Sequence, residues 1–171
     1  MGTDGEHPPS PRERASEHQN RNLPRIDGVG WSRRLVPRRI RTGAISVSLT
    51  PRKTEYVVGE PVQFAVTMEN RLPIPVTLAT ETPILWTWSV DGADEGSEIP
   101  LHDPPDERRG FVFERSERKQ FLKTWNGLFQ VSEHEWERPA TGTHRLRARV
   151  NTADPAADGL VAEAEITLVP E

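Results

Sequence analysis

Five histidines, His7, His18, His102, His134 and His144, are the residues of this chain best suited to bind a metal or move a proton, and their spacing argues against both roles. None recurs in a His-x-x-x-His interval, which would aim two imidazoles from one helical face at a single ion. Glu133-His134-Glu135 gathers three donors, but neighbours on a strand point to opposite faces, so the cluster reads as solvated charge. With no cysteine, thiolate catalysis, disulfides and Cys-ligated zinc or iron–sulfur centres are excluded. There is no glycine-rich phosphate loop and no Gly-x-Ser-x-Gly elbow, and acid pairs such as Asp103 and Asp106 are what any acidic loop supplies. The expectation is a non-enzymatic chain with no catalytic residues, metal ligands or cofactor.

Binding chemistry is better represented. Trp86 and Trp88, two apart, project to the same side of a strand. Exposed, they would form an aromatic platform for a carbohydrate or a peptide; but Ile84 and Val90 continue the same apolar stripe, which favours a core role. Residues 91–110 form the longest interior stretch without periodicity, and a compact domain rarely keeps such a loop without a use. Within it, His102, Arg108 and Arg109 are candidate partner contacts, and Trp136 in the following turn-rich stretch is a fourth. Pro100, Pro104 and Pro105 would stiffen the loop. Five arginines between Arg33 and Arg41 could tether an anionic surface, yet Pro37 interrupts any continuous basic helix, so nucleic acid binding is not the expectation.

Strands must position these groups. Tyr56 to Asn70 carries the cleanest alternation: Gly59 and Pro61 make a corner, then Val62, Phe64, Val66 and Met68 share one face while Gln63, Thr67 and Glu69 share the other. One apolar face requires a second layer. Ile45, Val47 and Leu49 alternate before it, and Val76-Thr77-Leu78 and Ile84 to Val90 after it, the last closed by Asp91-Gly92. Phe111 to Phe113 and Lys119 to Trp125 read as strands, whereas Ser132 to Trp136 could be a helical turn capped by Ser132 or an irregular loop. His144, Leu146, Ala148 and Val150 alternate with three arginines, and Leu160 to Leu168 closes the chain with Glu163 and Glu165 on one face. A hairpin with Val150 opposite Leu160 would set Arg147 against Glu163 and Arg145 against Glu165. About seven to nine strands with no crossover helix predict an all-β fold, an immunoglobulin-like antiparallel β-sandwich spanning 43–171. Its candidate core includes Phe64, Val66, Trp86, Trp88, Phe121 and Leu146. Residues 1–42, rich in Arg, Pro and other polar residues, read as a disordered tail.

The net charge of -4 hides an asymmetry. Residues 1–42 hold nine Arg against five acids, and the remainder holds thirteen Lys and Arg against twenty-one acids, so a basic tail precedes an acidic body. An acidic surface with only three lysines suits a salt-rich, halophilic cytosol. No apolar run approaches the length of a membrane span and the first residues build no signal peptide, so a cytoplasmic protein with no membrane partner is expected.

Tyr56-Val-Val-Gly59-Glu60-Pro61-Val62 with Asn70 is similar to the entry of prokaryotic immunoglobulin-like modules. Trp86-Thr-Trp88, Phe121 to Trp125-Asn126-Gly127 and Pro139-Ala-Thr-Gly142-Thr143-His144-Arg-Leu146 resemble the intracellular proteinase inhibitor family BsuPI, closest to a group of such domains in salt-loving archaea. The resemblance spans roughly residues 45–169. It implies the same fold and, as partner, an intracellular serine protease. Many members carry Tyr in a Pro-Gly-Thr-Tyr turn; here Ala140 precedes Thr141-Gly142 and His144 takes the aromatic place, a departure at the residue on which a tyrosine-corner hydrogen bond depends. Three functions stay open: a binding module that inhibits a protease, a carbohydrate or peptide binder using Trp86 and Trp88, and a structural module of a larger complex.

Overall fold

Alternation along the chain becomes strands stacked in two facing layers. The computed structural model describes residues 43–171; the tail expected over 1–42 lies outside them. In chain order the strands are β1 (Ile45–Pro51), β2 (Glu55–Val57), β3 (Val62–Asn70), β4 (Val76–Thr80), β5 (Trp86–Val90), β6 (Ala93–Asp94), β7 (Arg109–Phe113), β8 (Arg118–Trp125), β9 (Phe129–Ser132), β10 (Glu135–Glu137), β11 (Gly142–Val150) and β12 (Val161–Val169). Nine of them have four residues or more, and β2, β6 and β10 are shorter additions. One layer orders β1-β3-β8 and the other β2-β12-β11-β5-β6, with β4-β7 and β9-β10 as separate pairs. Every pair is antiparallel except β12 with β2. This is an immunoglobulin-like β-sandwich.

The chain changes layers just after β1, and Tyr56 secures the crossing. Its buried ring carries a hydroxyl that accepts from Lys53 N at 3.0 Å and donates to Gln63 O at 3.2 Å. Strand β3 then lays Val62, Phe64, Val66 and Met68 into the core, all buried. Across the layers Phe64 meets Trp88 edge to face, ring centroids 5.1 Å apart, an arrangement favoured by the aromatic quadrupole. Val66 and Leu146 are fully enclosed. Trp86 and Phe121 are only partly buried; they stack at 5.3 Å on the rim of the core, where Lys123 Nζ sits 5.8 Å from the Trp86 ring centre. Trp86 is the first residue of β5, and its indole packs against the core from its margin, beside Phe121 of β8.

Asn70 closes β3 by joining three segments. Its amide nitrogen reaches Ile74 O (2.8 Å), Glu114 O (2.9 Å) and Phe113 O (3.2 Å), and its carbonyl accepts from Leu72 N. A buried amide needs such satisfaction, and this one fixes the β3–β4 turn against the end of β7. The last hairpin has the predicted register, with Arg145 opposite Glu165, Arg147 opposite Glu163, and Val150 N donating to Leu160 O at 3.0 Å. Ser132 to Trp136, read as a helical turn or loop, is instead a tight β9–β10 hairpin turning on Glu133-His134. The flanking Phe129-Gln-Val and Glu-Trp-Glu favour pleated pairing over a single helical turn, which would be too short to sustain itself.

Candidate recognition site

The stretch after β5 opens as a pair of tight turns, not as free loop. Asp91 and Gly92 have φ of 48° and 88°, and Glu95 and Gly96 have φ of 52° and 73°. Positive φ at both central residues is the signature of two-residue hairpin turns whose twist matches the flanking strands. Val90 thus pairs with Ala93, and Asp94 bridges to Ser97. Gly96 rests on the buried Trp125 so closely that an added Cβ would lie 2.5 Å from the indole nitrogen. That indole donates to Leu128 O at 2.8 Å and packs beside Phe129 and His144. The aperiodic segment is therefore shorter than 91–110, because a glutamate-glycine pair serves as a turn and Arg109 already belongs to β7.

His144 locks the same end. Its Nε2 lies 2.7 Å from Ala140 O and its Nδ1 2.6 Å from Asp91 Oδ2, while Asp91 Oδ1 accepts from Arg145 N at 2.8 Å. The ring is buried. A contact four residues upstream is what a tyrosine corner provides, so the histidine takes over that bond and adds a second one to the turn after β5. Nothing in the sequence joins Asp91 to His144, 53 residues apart.

Beyond Ser97 the chain leaves the sheet, but its exit is held. Gly96 O accepts from Gln130 N at 2.9 Å and Glu98 N donates to Gln130 O at 2.8 Å, so the stem is stitched to β9. Ser97 Oγ donates to Ile99 O at 2.8 Å. At the return, the Arg108 guanidinium donates to Glu81 Oε2 at 3.2 and 3.3 Å before Arg109 pairs with Thr80 in the β4–β7 ribbon. Between these stems, Pro100 to Glu107 is exposed apart from half-buried Pro104. His102 Nε2 meets Glu95 Oε1 at 3.1 Å and folds the crown toward the second turn.

The four sequence-predicted contacts are thus distributed unevenly. His102 and Arg108 lie in the crown and at its return stem. Trp136, 47% exposed, sits on β10 opposite Gln130, which bridges to Ser97, so the ladder carries it to the first stem. Arg109 is a strand residue with an exposed side chain. Beneath the loop runs an open groove of about 860 Å³. Thr87 and Arg149 lie along it, with Ile99, Leu101 and Pro104 from the loop and Asn151 and Pro155 from the β11–β12 connection. Sequence periodicity had no means of finding this groove, since it forms between segments more than forty residues apart.

Electrostatics here are those of an acidic rim. Glu81, Asp91, Asp94, Glu95 and Glu98 line the groove against Arg149. Arg145 and Arg147 meet Glu163 and Glu165 on β12 at 3.5 to 4.0 Å, whereas Arg149 stands opposite Val161 and donates to the Thr87 hydroxyl at 3.3 Å. Away from the groove, Glu60 is held below the ordinary carboxylate range, first by the Lys53 ammonium and then by Val57 N–H. Glu117 is lowered likewise, by Lys119 and then Glu114 N–H. No group of His, Asp or Glu among the described residues is arranged to hold a metal ion. None of their helices is long and apolar enough to cross a membrane. Trp88 is 7% exposed and faces Phe64, so Trp86 and Trp88 do not present a joint outer face.

Among solved structures, the chain is similar to the CARDB domain of a Pyrococcus furiosus protein solved in complex with di-metal ions. That likeness has 14% identity and a TM-score of 0.45, and covers 74% of this chain and 94% of that one. A β-glucosidase from Listeria innocua in complex with isofagomine is similar at 14% identity and a TM-score of 0.43, over 74% of this chain and 16% of the enzyme. An alkylpurine DNA glycosylase from Pseudomonas fluorescens, bound to DNA containing an abasic site analog, is similar at 11% identity and a TM-score of 0.41, over 74% of this chain and 30% of that one. No curated protein matches the chain. One family model matches residues 33–169, and the chain belongs to that family, a family of unknown function (DUF7974).

Proposed function

We propose that this domain is a non-catalytic protein-recognition module that presents the Pro100–Glu107 crown, and that its partner is an intracellular serine protease. The observation that carries the reading is the loop's construction: an exposed crown with three prolines, pinned at one stem to Gln130 and at the other to Glu81. Pre-organised loops bind with less ordering cost, which is what an inhibitor entering a cleft requires. The motif resemblance to BsuPI supports the choice of partner. Arg108 can serve as primary contact because its exposed pair with Glu81 is worth only ~0.2–1 kcal/mol, little beside the ~12 kcal/mol of a nanomolar complex.

The test titrates the full chain into intracellular serine proteases beside a variant with Pro100–Glu107 replaced by a Gly-Ser linker. That replacement spares both stems and the turn beneath Trp125. Protease inhibition by the parent and not by the variant is expected; equal behaviour of the two removes the loop from the reading. A second reading, a structural module within a larger complex, is favoured by Leu122, 79% exposed on β8, which is an edge strand of its sheet among the described residues. Under it, Leu122→Lys abolishes co-assembly and leaves protease titration unchanged.

A further inference from the structure

The two outer faces of the sandwich are chemically opposite. On the larger sheet Arg145 and Arg147 of β11 meet Glu163 and Glu165 of β12, a charge-laced face suited to water. The outer face of β1-β3-β8 carries no such ladder. Its charged residues within the strands are Glu69 and Arg118, Cα partners at one end, while Arg52, just past β1, bonds back to Gln63 at the other. Between those ends the outward side chains are Ser, Thr and Gln with one alanine and one leucine. In a chain of which 28% is charged, this surface stands apart, and no described segment covers it.

The same face is self-complementary. Ala65 on β3 is the Cα partner of Leu122 on β8, so a hollow and a knob stand side by side: Ala65 is half-buried and Leu122 is 79% exposed. Glu69 and Arg118 repeat that relation in charge, four residues along each strand. A twofold axis running along the sheet between β3 and β8 sets each outward residue of β3 over its β8 partner in the other copy. Leu122 of each copy then enters the hollow at the other's Ala65, and each Glu69 meets the other's Arg118, the reciprocal pattern that a twofold interface requires. Sheet faces stack in this manner at ~10 Å. Residues 43–171 hold thirteen Lys and Arg against twenty-one acids, so two copies repel, and a face with balanced charge is where they approach at least cost. Pairing edge to edge is opposed by Lys119 and Lys123, which lie over the Phe113 and Trp86 rings, because inward-pointing charges on an edge strand hinder its extension.

We propose that the domain self-associates through this face, as a twofold dimer with β3 of each copy over β8 of the other. The inference rests on the second reading above, in which Leu122 marks an assembly surface, and names the partner as a second copy of this chain. Two strands about eight residues long present a footprint of roughly 250 Å² per copy, far below that of an obligate dimer, so the dimer exchanges with monomer and forms at high micromolar concentration.

Sedimentation velocity of the full chain, over a roughly hundredfold concentration range reaching the high micromolar, is expected to show a monomer–dimer equilibrium. Leu122→Lys should weaken association about tenfold or more, and Glu69→Arg or Arg118→Glu alone should also weaken it, by setting like charges face to face. All three positions are exposed, so the fold is kept. Mixing the Glu69→Arg and Arg118→Glu proteins in equal amounts should restore the dimer, since each reversed charge then meets its opposite across the axis and the second crossing keeps the native pair. A substitution that disturbed only its own copy would not be rescued in this way, and edge pairing would not bring Glu69 to the other copy's Arg118. A chain that stays monomeric at every concentration overturns the proposal. So does a dimer that ignores Leu122→Lys, or one that the single charge reversals break and mixing does not restore. If the parent is monomeric while Leu122→Lys still abolishes co-assembly with a different protein, the second reading holds and this inference alone fails.

Discussion

Replacing Gly96 with alanine isolates how the turn after β6 is coupled to the core. At φ of 73° an alanine pays ~1–2 kcal/mol for a left-handed backbone. Its Cβ would also lie 2.5 Å from Trp125 Nε1 and 2.8 Å from Cδ1, closer than packed atoms tolerate, so the indole has to move. Trp125 is 1% exposed, and moving it breaks the 2.8 Å bond to Leu128 O and strands a buried donor, ~1–3 kcal/mol more. The sum, ~2–5 kcal/mol, is a large share of the ~5–15 kcal/mol that holds a domain. Gly92 supplies the control: its φ is 88°, but nothing lies within 4 Å of the added Cβ, so Gly92→Ala carries only the backbone cost. Urea unfolding followed by tryptophan fluorescence should show Gly96→Ala less stable than Gly92→Ala by ~1–3 kcal/mol at unchanged m-value. Equal losses would mean that Trp125 yields freely, and the coupling of this turn to the core would be refuted.

Burial separates the two tryptophans of β5: Trp88→Ala should cost ~3–5 kcal/mol, and Trp86→Ala, on the rim with Phe121, distinctly less, so equal shifts in midpoint would contradict the layered packing. His144→Ala should cost ~1–3 kcal/mol and raise hydrogen exchange in Arg145 N–H, whereas His144→Tyr should recover the bond to Ala140 but not the one to Asp91; no change in either would dismiss the histidine corner. Glu60 and Glu117 have depressed folded values, so the unfolded chain binds more protons: their stabilisation is full above the ordinary value of 4.5 and is lost as pH falls through the lowered ones. Glu60→Gln with Glu117→Gln should flatten the acid limb of stability against pH, and an unaltered limb would refute the assignment.

Much of the architecture was legible because a strand's period is two. Val62, Phe64, Val66 and Met68 are enclosed as their alternation requires, and the Arg145–Glu165 and Arg147–Glu163 register follows from matching two consecutive amphipathic strands. Asp91-Gly92 marked its own turn, since few residue pairs accept positive φ. Local pattern could not show which layer each strand joins, or that Trp86 lies on a rim while Trp88 is enclosed, because both have the same sequence environment and differ only in what the other layer places above them. It also could not show that Glu95-Gly96 turns against Trp125, that Asn70 serves three segments, or that Asp91 and His144 meet. These depend on contacts between residues 29 to 53 positions apart, and no periodicity extends that far. The groove is the extreme case: it has no residues of its own, only the facing surfaces of a stapled loop, the β5–β11 face around Thr87 and Arg149, and a hairpin connection, and it exists because one sheet sets those segments side by side.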